Sequence, residues 1–260
     1  VYTPDNNTIA NNTIYNHTDY GIYIDAGDNN TIINNTIYNN SDGIYLDKNV
    51  VEEYDWMFGY YYVYDVYTPD NNTIANNVIY NNSGYGIIVL MNGGWGHGYG
   101  IYIDAGDNNT IINNTIYNNS NGIYLDKNVV YEEEYDYYEP PAEDGSMVYG
   151  VYTPDNNIVA NNTIYNNVWY IMPPPSPPSQ NGEGYGYGIY IDAGDNNTIV
   201  NNIIFNNSDG IYLDKNVVYG GYDLGKPAID GGIYGVYTPD NNTIANNTIY
   251  NHTDYGIYID

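Results

Sequence analysis

The carboxylates of this 260-residue chain recur at fixed places. The stretch "DAGD" sets Asp25 close to Asp28, Asp104 to Asp107 and Asp192 to Asp195, and "DKN" adds Asp47, Asp126 and Asp214. Paired carboxylates beside turn carbonyls and asparagine amide oxygens are hard oxygen ligands, the set that Ca²⁺ takes. The Gly-Gly-x-Gly-x-Asp pattern of calcium-binding β-rolls is missing, and Asp and Asn are also ordinary turn formers. The same residues therefore read either as weak calcium sites or as turns.

Tyrosines form the second group. Tyr23, Tyr45, Tyr102, Tyr124, Tyr190 and Tyr212 each sit between two aliphatic residues in "GIYID" or "GIYLD". If those neighbours point inward along a strand, the tyrosine points outward. Tyr2, Tyr67, Tyr152, Tyr237 and Tyr258 share the expectation. A column of phenol rings presents a half-apolar, hydroxyl-edged face suited to a sugar. The blander reading is that rings stacked across strands only stabilise the sheet.

What must position these residues is a repeat. "GIYIDAGDNNTIINNTIYNNSDGIYLD" runs from Gly21 and returns almost unchanged from Gly100 and Gly188, while "VYTPDNN" opens at Val1, Val66, Val151 and Val236. Within a coil the apolar positions Ile22, Ile24, Ile32, Ile37, Ile44 and Leu46 alternate at period two and are separated by Asp, Gly, Asn and Ser, which is a strand pattern cut by turns. About 22 residues per coil, with three short strands and three turns, make one rung of a single-stranded right-handed parallel β-helix, an all-β solenoid. Counting phrases gives ten or eleven rungs in one domain over 1–260. Insertions break the repeat at 52–65, 91–99, 131–149, 168–187 and 219–234. Ile22, Ile44, Ile101, Ile123, Ile189 and Ile211 should stack as an interior column, and the asparagines as amide ladders at the turns.

Phrases such as "NNTIINNTIYNNSDGIYL" resemble the right-handed β-helix repeat of the pectin-lyase-like superfamily. They are most similar to its Asn-rich branch, found in archaeal and bacterial surface proteins and in periplasmic copper-processing accessory proteins of nitrous-oxide reductase. The resemblance implies the fold and says little of function, since the branch is defined by scaffold residues. Copper handling would want clustered Met, His or Cys, yet Met57, Met91, Met147 and Met172 are scattered and there is no Cys. Gly96-His97-Gly98 also resembles the Gly-His-Gly of polygalacturonases, which implies His97 as an assistant to catalytic carboxylates. Against that, the chain has no Asp-Asp pair and no Arg to grip a uronate. A β-elimination lyase would need Arg or Lys for its developing anion, and the four Lys are three copies of one repeat position, Lys48, Lys127 and Lys215, plus Lys226.

With 32 Asp plus Glu against 4 Lys, the net charge of −28 disfavours nucleic acid and an anionic membrane surface. No apolar run is long enough to span a bilayer, and this segment carries no signal peptide. Sequons begin at Asn6, Asn11, Asn16, Asn29, Asn34 and Asn39, but repeated Asn-Asn-Thr creates them automatically. Pro173 to Pro178, interrupted by Ser176, reads as a polyproline II loop. Val1–Asp25 and Val236–Asp260 are the same 25 residues. These uncapped ends suggest either a piece of a longer array or an artificial repeat sequence, with copies associating end to end. The expectation is a non-enzymatic extracellular or cell-surface module whose Tyr and Asp face binds a polysaccharide or glycan. The competing class is a polysaccharide-active enzyme on the same fold, which needs several carboxylates in one cleft instead of carboxylates spread by repetition.

Overall fold

The structure, a computed structural model, describes residues 3–55, 60–82, 98–133, 146–168, 186–219 and 233–260. Three parallel sheets of seven strands each run the length of these residues. Sheet A holds Thr8–Ala10, Thr31–Ile33, Thr73–Ala75, Thr110–Ile112, Ile158–Ala160, Thr198–Val200 and Thr243–Ala245. Sheet B follows two residues later in each rung, with Thr13–Tyr15, Thr36–Tyr38, Val78–Tyr80, Thr115–Tyr117, Thr163–Tyr165, Ile203–Phe205 and Thr248–Tyr250. Sheet C is built from Tyr20–Asp25, Asp42–Asp47, Tyr99–Asp104, Asn121–Asp126, Tyr187–Asp192, Asp209–Asp214 and Ile257–Ile259. One strand from each sheet makes a rung, so the described residues wind as a right-handed parallel β-helix of seven rungs, not ten or eleven.

The expected count was too high because "GIYLDKNVV" does not open a rung of its own. It supplies the sheet C strand of each even rung and then leaves the solenoid. Asn49–Asp55 pairs antiparallel with Tyr60–Tyr67, Asn128–Glu133 with Ser146–Tyr152, and Asn216–Tyr219 with Ile233–Tyr237. The described residues of three of the five insertions thus supply arms of antiparallel pairs, and the "VY" at Val66, Val151 and Val236 ends each returning arm. Tyr67, Tyr152 and Tyr237 belong to those arms and not to the sheet C column. Without an insertion, equivalent asparagines are 23 residues apart, as from Asn7 to Asn30; across hairpins or loops the step lengthens to between 37 and 48.

Each "NN" divides its work between two residues. The first Asn of every pair, three per rung, lies at positive φ, for example Asn29 at 56°, Asn34 at 57° and Asn39 at 55°. Asn tolerates this left-handed conformation better than other residues with a side chain, so it can turn the corner there. The second Asn points inward and builds the ladder. Asn77 Oδ1 accepts the backbone N–H of Asn35 at 2.8 Å and its Nδ2 at 3.1 Å, while Asn77 Nδ2 donates to Ile32 O at 2.9 Å. Buried backbone N–H groups at the corners are thereby satisfied where no strand can reach them, although at the first corner the Nδ2 of Asn30, Asn72, Asn109 and Asn197 is buried without a partner. His17 and His252 replace the ladder Asn of the third corner in the first and last rungs: His17 N–H donates to Asn40 Oδ1 at 3.1 Å, and His252 Nε2 lies 3.3 Å from Ile204 O.

Between the sheets lies an aliphatic core that contains the expected Ile column, together with Ile32, Ile37, Leu46 and their equivalents. Adjacent rungs pack tightly at the glycine in the second position of the first six sheet C strands. A Cβ on Gly122 would lie 2.4 Å from Gly188 O and 2.8 Å from Ile164 Cγ2, so no side chain fits.

Candidate binding face

Strand register does bring Tyr23, Tyr45, Tyr102, Tyr124, Tyr190, Tyr212 and Tyr258 into one column on sheet C. It is not the open face expected of it. Tyr102 and Tyr190 are only 7% and 6% exposed, Tyr45, Tyr124 and Tyr212 are half-buried, and Tyr23 alone of these six remains open at 45%. Tyr20, Tyr99 and Tyr187 tilt against the column, with ring centroids 4.7 Å from Tyr45, Tyr102 and Tyr190 respectively. Three of the phenols are engaged as donors: Tyr23 to Asp47 at 2.8 Å, Tyr102 to Asp126 at 2.7 Å and Tyr190 to Asp214 at 2.9 Å. A sugar ring has no access to the middle of this column.

The proposed calcium pairs are divided between two columns. Asp25 accepts from Asn49 Nδ2 at 2.9 Å, Asp104 from Lys48 Nζ at 3.1 Å, and Asp192 from Lys127 Nζ at 2.8 Å, all at the end of sheet C. Asp28, Asp107 and Asp195 instead join Asp5, Asp70, Asp155 and Asp240 at the start of sheet A. There each carboxylate Oδ1 from Asp5 to Asp195 accepts the backbone N–H of the next Asp in the column, at 2.7 to 2.9 Å. Among the described residues no group of three or more His, Cys, Asp or Glu is placed to hold a metal ion. Burial raises the Asp107 carboxyl to about 6, against the hydrogen bond from Asp155 N–H, and raises Asp126 to about 6, against its bond from Tyr102. His97 lies outside the described residues, as do Tyr2, Met57, Met91, Met172, Lys226 and the proline run.

A different face is continuous and open. From sheet A through the corner into sheet B, the seven rungs read TIANNTIY, TIINNTIY, TIANNVIY, TIINNTIY, IVANNTIY, TIVNNIIF and TIANNTIY, without one charged residue in a chain of net charge −28. Outward positions carry Thr8, Thr31, Thr73, Thr110, Thr198 and Thr243 with Ile158 on sheet A. Sheet B carries Thr13, Thr36, Thr115, Thr163 and Thr248 with Val78 and Ile203. The corner asparagines, from Asn11 to Asn246, are exposed on every rung.

Along the far side of sheet B runs a second aromatic ladder that the sequence reading missed: Tyr15, Tyr38, Tyr80, Tyr117, Tyr165, Phe205 and Tyr250. Successive ring centroids are 4.8 to 5.0 Å apart, with planes within 7° of parallel. Both faces of each inner ring are used in this stacking, so solvent meets ring edges and hydroxyls. The available signal was the aromatic that follows Ile and precedes the third-corner Asn in all seven rungs. The face as a whole carries hydroxyls, corner amides and phenols on most rungs, interrupted by Val78, Ile158, Ile203 and Phe205, and beside the sheet A threonines runs an apolar row from Ala10 and Ile33 to Val200 and Ala245.

The family profile described as "Right handed beta helix region" matches residues 1–97, 62–218 and 95–260. A comparison with curated proteins gives no match. Among solved structures, the periplasmic alginate epimerase AlgG is 16% identical, with a TM-score of 0.47 over 95% of this chain and 43% of that one. A single mutant of that enzyme aligns with a TM-score of 0.49 at 16% identity over 97% of this chain and 44% of that one. Its double mutant gives 0.48 at 15% over the same shares. The chain spans less than half the length of these structures. The family profile covers the whole chain, which belongs to the right-handed β-helix region family.

Proposed function

We propose that the chain is a non-enzymatic structural repeat module, working outside the cell, that displays the face of sheets A and B to uncharged carbohydrate polymers. The observation that carries this is the absence of charge from that face over all seven rungs, while columns of carboxylates gather where sheet C meets sheet A. Threonine and tyrosine hydroxyls and asparagine amides both donate and accept hydrogen bonds, as sugar hydroxyls require. Their once-per-rung repetition suits a ligand that also repeats along one axis, and many weak contacts on one rigid body add through effective concentration. An anionic polymer would meet the negative field of the whole molecule.

The experiment is a depletion assay with insoluble neutral polysaccharides, with an anionic polysaccharide in parallel, and the reducing ends of each substrate are followed over time. Retention on neutral polymers without new reducing ends supports the module. Retention on the anionic polymer alone, or on none, refutes the assignment of this face. Release of new ends would move the chain to the polysaccharide-active class.

A further inference from the structure

The sheet C tyrosines remain without a part in carbohydrate recognition, although they form an unbroken stack from the first rung to the last. Centroid separations run 5.9, 4.4, 5.8, 4.3, 5.6 and 4.5 Å from Tyr23 through Tyr45, Tyr102, Tyr124, Tyr190 and Tyr212 to Tyr258. The ring planes stay within 27° of parallel throughout. Alternate phenols, Tyr23, Tyr102 and Tyr190, donate to Asp47, Asp126 and Asp214 at 2.7 to 2.9 Å. Sheet B has the same stacking, but among the described residues its phenols donate to no carboxylate. Sheet C therefore couples two properties that cross-strand packing alone does not need: overlapping oxidisable rings, and a proton acceptor fixed on every second one.

We propose that the sheet C column carries oxidising equivalents along the solenoid by hopping between tyrosines, with Asp47, Asp126 and Asp214 taking the phenolic protons. The co-reactant is a strong one-electron oxidant, of the class of a high-valent metal-oxo centre or a photo-oxidised ruthenium polypyridyl. In the first step the oxidant takes one electron from Tyr23, the O–H bond breaks, and the proton moves to Asp47; the oxidant is reduced by one electron and Tyr23 becomes a neutral radical. In each later step the radical ring takes an electron from the next ring and recovers its proton from the carboxylate that held it, while the next ring releases its own: Asp47 serves Tyr23 and Tyr45, Asp126 serves Tyr102 and Tyr124, Asp214 serves Tyr190 and Tyr212, and the last ring releases its proton to solvent, so nothing is consumed along the column. Burial and the neighbouring carboxylates push the Tyr102 and Tyr190 phenols well above their ordinary range. A phenolate is thus excluded, and the phenol loses its proton only as it is oxidised. In the experiment below, Tyr23 is the first ring of the column to be oxidised.

The chain has no Cys, so a single ruthenium photosensitiser can be attached through Asp19→Cys, on an exposed residue next to Tyr20. A 3-aminotyrosine at position 258 serves as a radical trap six rungs away, about 29 Å at ~4.8 Å per rung. After a laser flash with an external electron acceptor, the trap radical is read by electron paramagnetic resonance in the full chain. Hopping predicts a trap signal that is lost in Tyr102→Phe and in Tyr124→Phe, the second of which leaves every phenol-to-carboxylate bond in place. It also predicts a signal retained in the sheet B control Tyr117→Phe and, for Asp126→Asn, reduced and slower in deuterated water. A trap signal equal in all the variants, a signal lost only in Tyr117→Phe, or no signal from the folded parent chain would overturn the proposal.

Discussion

Replacing one ladder asparagine should cost far more than replacing its immediate neighbour, although the two are the same residue type. Asn114 is fully buried; its Oδ1 accepts the backbone N–H of Asn77 at 2.9 Å and Asn77 Nδ2 at 3.1 Å. Its Nδ2 donates to Ile74 O at 2.9 Å and to Asn162 Oδ1 at 3.1 Å. Asn114→Ala removes all four bonds and orphans the buried Asn77 N–H, for which the desolvation penalty alone is ~1–3 kcal/mol. Allowing ~0.5–1 kcal/mol for each of the other three bonds, the total is about 2.5–6 kcal/mol. Asn113 is exposed and matters through its φ of 58°. Asn113→Ala should cost ~1 kcal/mol, and Asn113→Gly only a few tenths either way, because glycine enters the left-handed region freely. Urea denaturation of the three variants, with amide exchange of the fourth rung as a local readout, measures the difference. Solenoids can unfold rung by rung, so exchange decides where bulk midpoints broaden. Equal costs at the two positions would refute the assignment of separate roles within each Asn pair.

Stability should rise as the solution is acidified. The carboxyls of Asp126 and Asp107 titrate at about 6 in the folded chain, above the ordinary aspartate value, so the stability they contribute is present below pH ~4 and lost as the pH climbs through 6. Melting temperature measured from pH 4.5 to 8 should fall with pH, and Asp126→Asn should remove of order 2 kcal/mol of that dependence; a melting temperature that rises over this range would contradict it. At the close approach between rungs, Gly122→Ala should cost about 1–3 kcal/mol by overpacking, whereas Gly256→Ala, with its nearest atom 3.7 Å away, should be near neutral in the same urea assay. Lys127→Met strands Asp192, whose side chain is 6% exposed, without its cation and should cost about 3–5 kcal/mol, with part of the loss recovered by Asp192→Asn in the same chain.

The rung was legible in the sequence because its causes are local. Ile at alternate positions marks the inside, and Asn, Gly and Asp mark the corners, so the core columns from Ile22 to Ile211 could be named without coordinates. The hairpins were not legible. Their arms, such as Asn49–Asp55 and Tyr60–Tyr67, are joined through stretches that share no pattern between repeats, and the antiparallel pairing is a tertiary fact. This also misled the rung count, since "GIYLDKNVV" looks like a phrase of equal rank with "GIYIDAGDNN". Alternation correctly placed Tyr102 on the outer side of its strand. It could not show that Tyr99, on the same strand, and Tyr124, on the next rung, would close over it. The Asp pairs misled for a related reason: Asp25 and Asp28 are three residues apart in the chain, but a corner lies between them and each aligns with its own column. The uncharged face was visible as letters all along, yet it has meaning only once seven such octets are stacked into one surface.

The central claim, that recognition is spread along the face of sheets A and B, is tested most directly by placing one negative charge on it at successive rungs. Thr36→Asp, Thr115→Asp and Thr163→Asp put a carboxylate at equivalent outward positions of the second, fourth and fifth rungs, and retention on the neutral polysaccharide is measured for each singly and for all together. The account predicts similar partial losses from each single change, a near-complete loss from the triple change, and no loss from Glu53→Gln on the first hairpin. One position abolishing retention while the others leave it intact, or retention lost only through the hairpin change, would contradict it.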